Sequence, residues 1–137
     1  RPSIMSTIKA NTLLHSDGST TTQPSIPALD KRMAKAWVTF DHQTPAILDS
    51  YNISSITDRG SAKGTLNFTT AMANTNYCVV GNAHDGGGEN DNRSFMHSNN
   101  TTETTSAFDF YTGSVSDLVG SIIANESDHL SVIVFGS

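Results

Sequence analysis

The sequence predicts an all-β protein: an antiparallel β-sandwich, jelly-roll-like, with an extended N-terminal arm. Short runs of alternating apolar and polar residues recur at intervals of roughly ten residues, with Gly, Asn, Asp and Pro between them. Ser, Thr and Asn make up about a third of the chain, and these residues favour strands and turns over helix interiors. No long segment keeps a helical period, so the strands are expected to build the whole fold.

The first part of the chain has a different character from the rest. Residues 1–4 precede Met5, which has the position of a native start, so we expect them to be a remnant of cloning. Residues 8–14 could form a strand, and residues 15–27 are typical of a Ser/Thr/Pro linker. Residues 29–34 could form one helical turn. A terminal strand separated from the body by a linker needs a partner, in its own body or in a neighbouring chain.

The chain therefore divides into an arm and linker over residues 1–34 and a sandwich domain over residues 35–137. The apolar run NYCVVGNA is typical of a central strand buried on both faces, so Cys78 within it is expected to be buried. Trp37 is expected in the core. The segment 116–126 fits either a strand or a short helix. The other predicted strands are AKAWVTFD, PAILDSYNISSI, TLNFTT, RSFMHS, SAFDFYTG and DHLSVIVFGS, and DRGSAKG is predicted to be a turn.

Composition excludes several function classes. The net charge of −5 leaves no electrostatic footprint for nucleic acid, and no apolar stretch is long enough for insertion into a membrane. The single cysteine excludes an intrachain disulfide. The histidines are scattered, without the close spacing of a metal motif, so each is expected to have a structural or surface role. We expect no catalytic residues, no bound metal and no cofactor, and we do not expect an enzyme.

The stretch AHDGGGENDNR concentrates carboxylates and glycines between two predicted strands, and three interpretations compete for it. An EF-hand fails because Asp85 is followed by Gly86-Gly87-Gly88-Glu89, so that Gly87 stands where the pattern needs Asp or Asn. A hydrolytic site needs preorganised carboxylates, and consecutive glycines are a poor frame for them. An exposed loop that contacts another molecule is the interpretation we favour, although a bound cation stays possible. The candidate contact residues are Asn82, His84, Asp85, Glu89, Asn90, Asp91, Asn92 and Arg93.

Four further segments carry a family resemblance. They are KAWV (Lys35–Val38), YNISSITD (Tyr51–Asp58), NFTTAM (Asn67–Met72) and NYCVVG (Asn76–Gly81), and the closing run SVIVFGS joins them. Together they resemble a module of tail fibres and small virion surface proteins of bacteriophages, notably those of cyanobacteria. The resemblance covers nearly the whole chain except 82–93 and 112–128, and its motifs are structural rather than catalytic.

The resemblance implies a protein on the surface of the phage particle, assembled as a homotrimer. A tail fibre or fibre-tip module would mediate attachment to a glycan or protein of the bacterial host surface. The alternative is a capsid decoration or fibre-joint protein that binds no receptor of its own. In either case the N-terminal arm is expected to contact other virion proteins.

Overall fold

The computed structural model describes residues 8–20, 26–84, 93–98, 103–115 and 122–136. The chain divides into two compact units, Arg1–Asp30 and Lys31–Ser137. The second unit thus begins a few residues before the boundary expected from the sequence.

The described part of the first unit contains a turn and one short helix. The N–H of Gly18 donates to the carbonyl of His15 at 2.8 Å, and the N–H of Ser19 donates to Oδ1 of Asp17 at 2.7 Å. The bond from Ser19 is the main cause of the lowered pKa of the Asp17 carboxyl. Residues 8–14 form no strand, so that expectation is wrong. The helical turn is α1 (Pro27–Asp30), earlier than expected, and Pro27 is well suited to a first helical position.

The second unit contains two antiparallel sheets. Sheet A has the order β2-β1-β9-β5, and sheet B has the order β3-β4-β7-β6, with the short strand β8 also pairing with β7. The all-β antiparallel sandwich predicted from the sequence is therefore confirmed. The strands are β1 (Ala36–Asp41), β2 (Ala46–Tyr51), β3 (Ile53–Asp58), β4 (Lys63–Phe68), β5 (Cys78–His84), β6 (Arg93–Ser98), β7 (Ala107–Val115), β8 (Ile122–Ala124) and β9 (His129–Phe135).

The core lies between the sheets because alternate residues of each strand point inward. Phe40 of sheet A meets Phe110 of sheet B edge to face, with ring centroids 5.3 Å apart. Phe68 packs against Phe108 at 5.6 Å and against Tyr77 at 5.6 Å. The aliphatic part of the core consists of Val38, Ile53, Leu66, Leu130, Val132 and Val134.

The predicted strand PAILDSYNISSI is two strands that belong to different sheets. Asn52, which separates β2 from β3, has a left-handed φ of 56°, and this breaks the extended backbone. Its Nδ2 donates to the carbonyls of Lys35 and Thr70, both at 3.1 Å, and its Oδ1 accepts from the N–H of Thr70 at 2.7 Å. Asn52 therefore fixes the crossover between the sheets.

Two other details differ from the expected turns and strands. Gly64, expected in the DRGSAKG turn, lies inside β4, where a Cβ would be 2.6 Å from Cε1 of Phe110. The segment 116–126, for which the sequence fitted either a strand or a short helix, contains the strand β8 (Ile122–Ala124). No helix in the described part of the chain is long and apolar enough to cross a membrane.

Candidate functional site

Strand β5 lies at the edge of sheet A, and its outer face is exposed. The expectation of a central strand buried on both faces is wrong: Val80 is 58% exposed and Cys78 is exposed. On the inner side, Gly81 packs so closely on Phe95 that a Cβ would be 2.6 Å from its ring. The apolar residues of this strand therefore supply an outer surface as well as a part of the core.

The apolar surface on the outer face of β5 continues across the whole width of sheet A. One apolar side chain from each strand forms a line there. Tyr51 of β2 pairs with Trp37 of β1, Trp37 pairs with Ile133 of β9, and Ile133 pairs with Val80 of β5. Tyr51 is 36% exposed and Ile133 is 44% exposed, whereas Trp37 is half-buried. We call these four residues the apolar row. Trp37 belongs to this outer row, so its expected place in the core is wrong.

Polar residues border the apolar row on one side. Thr39 pairs with Asp49 and with Ser131, and Ser131 pairs with Asn82, which makes a parallel polar row across the same four strands. Beyond it, His84 pairs with His129, and both side chains are exposed. On the other side of the apolar row, Cys78 pairs with the half-buried Phe135.

The outer face of sheet B is different. Where β3 and β4 pair, Asn67 donates from Nδ2 to Oγ of Ser55 at 3.1 Å and to Oγ1 of Thr57 at 3.0 Å. Next to them, the Thr65 hydroxyl donates to Oδ1 of Asp109 at 2.6 Å, and Arg59 pairs with Oδ2 of Asp109 at 2.6 Å. Among the strand residues whose side chains the structure describes, the large hydrophobic side chains that are 36% or more exposed belong to sheet A: Leu48, Tyr51, Val80 and Ile133.

Three of the candidate contact residues from the sequence lie in the described chain. Asn82 and His84 are exposed on the outer face of sheet A, at the end of β5. Arg93 is half-buried at the start of β6, in sheet B, so it belongs to a strand rather than to a loop. The other five lie outside the described residues: Asp85, Glu89, Asn90, Asp91 and Asn92. The chain thus passes from sheet A to sheet B between His84 and Arg93.

The aromatic residues Trp37, Phe108 and Phe110 separate into two groups. Phe108 and Phe110 are buried inside the sandwich of a single chain and cannot supply an outer surface. Trp37 is on the outer face and can do so. Strict alternation places Phe108 and Phe110 on one side of β7, but alternation alone does not say which side faces the core.

A second polar grouping lies at one end of the sandwich, and the sequence analysis missed it. His42, Asp58 and Glu126 each offer one potential ligand atom, and these atoms lie within 4.8 Å of one another. His42 follows β1, Asp58 ends β3 and Glu126 follows β8, so only the fold brings the three residues together. Their separation along the chain explains why no sequence motif indicates them.

Comparisons with known proteins add no assignment to this geometry. No family model matches the chain, no curated protein matches it, and no solved structure matches it. The features that bear on function are therefore the two faces of the sandwich and the end of β5.

Proposed function

We propose that the protein is a structural protein of a phage particle, assembled as a homotrimer, that mediates attachment to the bacterial host surface. The observation that carries the proposal is the apolar row across the outer face of sheet A. Exposed apolar surface of this kind is characteristic of protein association sites. The resemblance of the four sequence segments to tail-fibre and virion surface modules supplies the biological setting.

In this proposal, a second copy of the same chain covers the apolar row. The two outer faces of the sandwich differ sharply, with apolar side chains on sheet A and hydrogen-bonded polar side chains on much of sheet B. A face that repeats in every copy can be buried by symmetric association. Fully burying an exposed Ile or Val side chain contributes about 1.5–3 kcal/mol, and Ile133 and Val80 would contribute a part of this, because they are 44% and 58% exposed in the single chain. The N-terminal arm then serves as the connection to other virion proteins.

Host contact is assigned to the polar end of the same face. Asn82 and His84 are exposed there, and the segment 85–92 begins directly after them. Amide, imidazole and carboxylate groups suit the hydroxyls of a glycan or a polar protein surface. A trimer presents three copies of this end, so weak individual contacts add through avidity.

The association part of the proposal is tested by light scattering. The unmodified protein is expected to have the mass of a trimer, and Ile133→Asp is expected to dissociate it, because the assembly would bury an unpaired carboxylate. Thr57→Asp is the matched control: it adds the same charge to an exposed strand position on sheet B and should leave the trimer intact. A monomeric parent protein, or equal masses for both variants, would contradict the proposal.

The attachment part is tested separately by adhesion of the purified trimer to the bacterium that the phage infects. The double variant Asn82→Ala/His84→Ala is expected to remain trimeric and to adhere more weakly. If it adheres as well as the parent protein, the capsid decoration or fibre-joint alternative gains support. Immunogold microscopy of the particle decides between these two: label on the tail fibres favours attachment, and label over the capsid favours decoration.

A further inference from the structure

We propose that His42, Asp58 and Glu126 form a binding site for a divalent transition-metal ion of the Zn²⁺ class, which holds one end of the sandwich together. The inference is independent of the proposed function. It departs from the expectation, based on the sequence, that no histidine of this chain binds a metal.

The first argument is the state of the His42 side chain. It is only 1% exposed, and Nε2 lies 3.2 Å from the carbonyl oxygen of Lys63, whereas Nδ1 is buried and has no hydrogen-bond partner among the described residues. Buried polar atoms in folded proteins are nearly always paired, because leaving one unpaired costs free energy. An imidazole nitrogen to which the described residues give no partner, in a ring beside two carboxylates, is consistent with coordination of a cation.

A second buried atom nearby is in the same condition. Ser127 is fully buried, and its Oγ has no partner in the described part of the chain. Ser127 directly follows Glu126, and its carbonyl accepts from the N–H of His42 at 3.0 Å. The described residues thus leave two buried polar atoms without partners on residues that are hydrogen-bonded to each other, and an ion with its bound water would supply partners for both.

The surroundings of His42 resemble the support that metal-binding histidines usually have. The other ring N–H of such a histidine commonly donates a hydrogen bond to a backbone carbonyl, which fixes the tautomer and the orientation of the ring. The Lys63 carbonyl is in position for this role, and the Phe110 ring packs edge-on against the imidazole with centroids 5.0 Å apart. His42 is therefore held in place before any ion binds.

The two carboxylates complete the set of ligands. Asp58 accepts from the N–H of Gly60 at 2.8 Å through Oδ1, so the turn orients its carboxylate. Asp58 is exposed and Glu126 is half-buried, so both can rotate toward an ion. Ligand atoms around a tetrahedral Zn²⁺ lie about 3.4 Å apart, given bonds of about 2.1 Å. The three atoms lie within 4.8 Å of one another, so binding requires the carboxylates to move closer to the imidazole by up to about 1.4 Å.

The chemistry of the ligands selects the class of ion. One imidazole nitrogen with two carboxylate oxygens suits Zn²⁺ and similar ions, whereas Ca²⁺ and Mg²⁺ prefer oxygen ligands alone. Two carboxylates also balance the charge of a divalent cation. An ion here would link the turn after β1, the end of β3 and the segment between β8 and β9.

The test is calorimetric titration of chelator-treated protein with ZnCl₂, and separately with CaCl₂, together with thermal unfolding in each salt. We expect one Zn²⁺ per chain, a melting temperature that rises with Zn²⁺ concentration, and much weaker binding of Ca²⁺. Asp58→Asn and Glu126→Gln remove a ligand without changing side-chain size, and each should weaken Zn²⁺ binding by about tenfold or more.

Glu103→Gln is the matched control. Glu103 pairs with His97 at 2.8 Å and lies outside the cluster, so its change should leave Zn²⁺ binding unaltered. The inference is overturned if Zn²⁺ neither binds nor raises the melting temperature, if the Glu126→Gln and Glu103→Gln variants bind alike, or if Ca²⁺ binds more tightly than Zn²⁺. These outcomes are separate from trimer formation, so either proposal can fail without the other.

Discussion

The side chain of Asn52 binds the main chain of Thr70 at two points: Oδ1 accepts from the Thr70 N–H at 2.7 Å, and Nδ2 donates to the Thr70 carbonyl at 3.1 Å. The same Nδ2 also donates to the carbonyl of Lys35 at 3.1 Å. The segments Lys35–Val38, Tyr51–Asp58 and Asn67–Met72 therefore meet at one amide. This amide fixes the chain where it crosses between the two sheets.

The first prediction concerns this crossover. Asn52→Gly keeps the left-handed backbone but loses the side-chain bonds, and we expect a loss of about 2–4 kcal/mol in the free energy of unfolding. Asn52→Ala should lose roughly 1 kcal/mol more, because alanine is disfavoured at a positive φ. Urea unfolding measures both. Asn82→Ala, at an exposed position, is the control and should change stability by less than about 0.5 kcal/mol. If Asn52→Gly is as stable as the parent protein, the side chain of Asn52 does not stabilise the crossover.

The second prediction concerns the close approach of Gly64 and Phe110. In Gly64→Ala, the new methyl group would lie 2.6 Å from Cε1 of Phe110, so the core must shift. Overpacking of this kind typically costs about 1–3 kcal/mol. In a Phe110→Leu background the same change should cost less, because the smaller side chain leaves room. A double-mutant cycle by chemical unfolding measures this coupling, and simple additivity of the two changes would contradict the predicted contact.

The third prediction concerns alkaline pH. Burial raises the pKa of the Tyr77 phenol to about 12, with further contributions from the negative charges of Glu103 and Asp109. Its hydroxyl donates to the carbonyls of Thr104 and Ala107 at 3.0 and 3.2 Å. The folded state therefore keeps the phenol proton between the unfolded pKa of about 10 and the folded pKa, where the unfolded chain loses it.

Stability should consequently fall as pH rises from about 10 to about 12, by roughly 2–3 kcal/mol from this group. Urea unfolding across this range measures the fall, and Tyr77→Phe should reduce it by that amount. The absorbance of tyrosinate in the folded protein gives an independent reading of the same titration. An equal pH dependence in the parent and in Tyr77→Phe would show that Tyr77 ionises as readily in the folded chain as in the unfolded one.

Alternation along the chain was sufficient to predict the strands that have one buried face. Val38 and Phe40 in β1, and Leu130 and Val132 in β9, point inward at every second position, and the same period is visible in the sequence. Alternation did not predict the break between β2 and β3 at Asn52, because the two alternating segments follow each other directly. Only the left-handed φ of that residue separates them.

The sequence did not indicate the position of β5 in its sheet. A run of apolar residues is expected both for a strand buried inside its own sandwich and for an edge strand that a second copy covers. Val80 and Cys78 are therefore consistent with either arrangement until the sheet order is known. The sequence did not indicate the cluster of His42, Asp58 and Glu126 either, because His42 follows β1, Asp58 ends β3 and Glu126 follows β8.

The central claim, that other copies of the chain cover the apolar row on the outer face of sheet A, is tested most directly by the reactivity of Cys78. This residue is the only cysteine, it is exposed in a single chain, and it lies beside the apolar row. The measurement is the rate of thiol alkylation in the folded parent protein and in the folded Ile133→Asp variant. We predict slow alkylation in the parent and fast alkylation in the variant. Equally fast alkylation in both would contradict the claim.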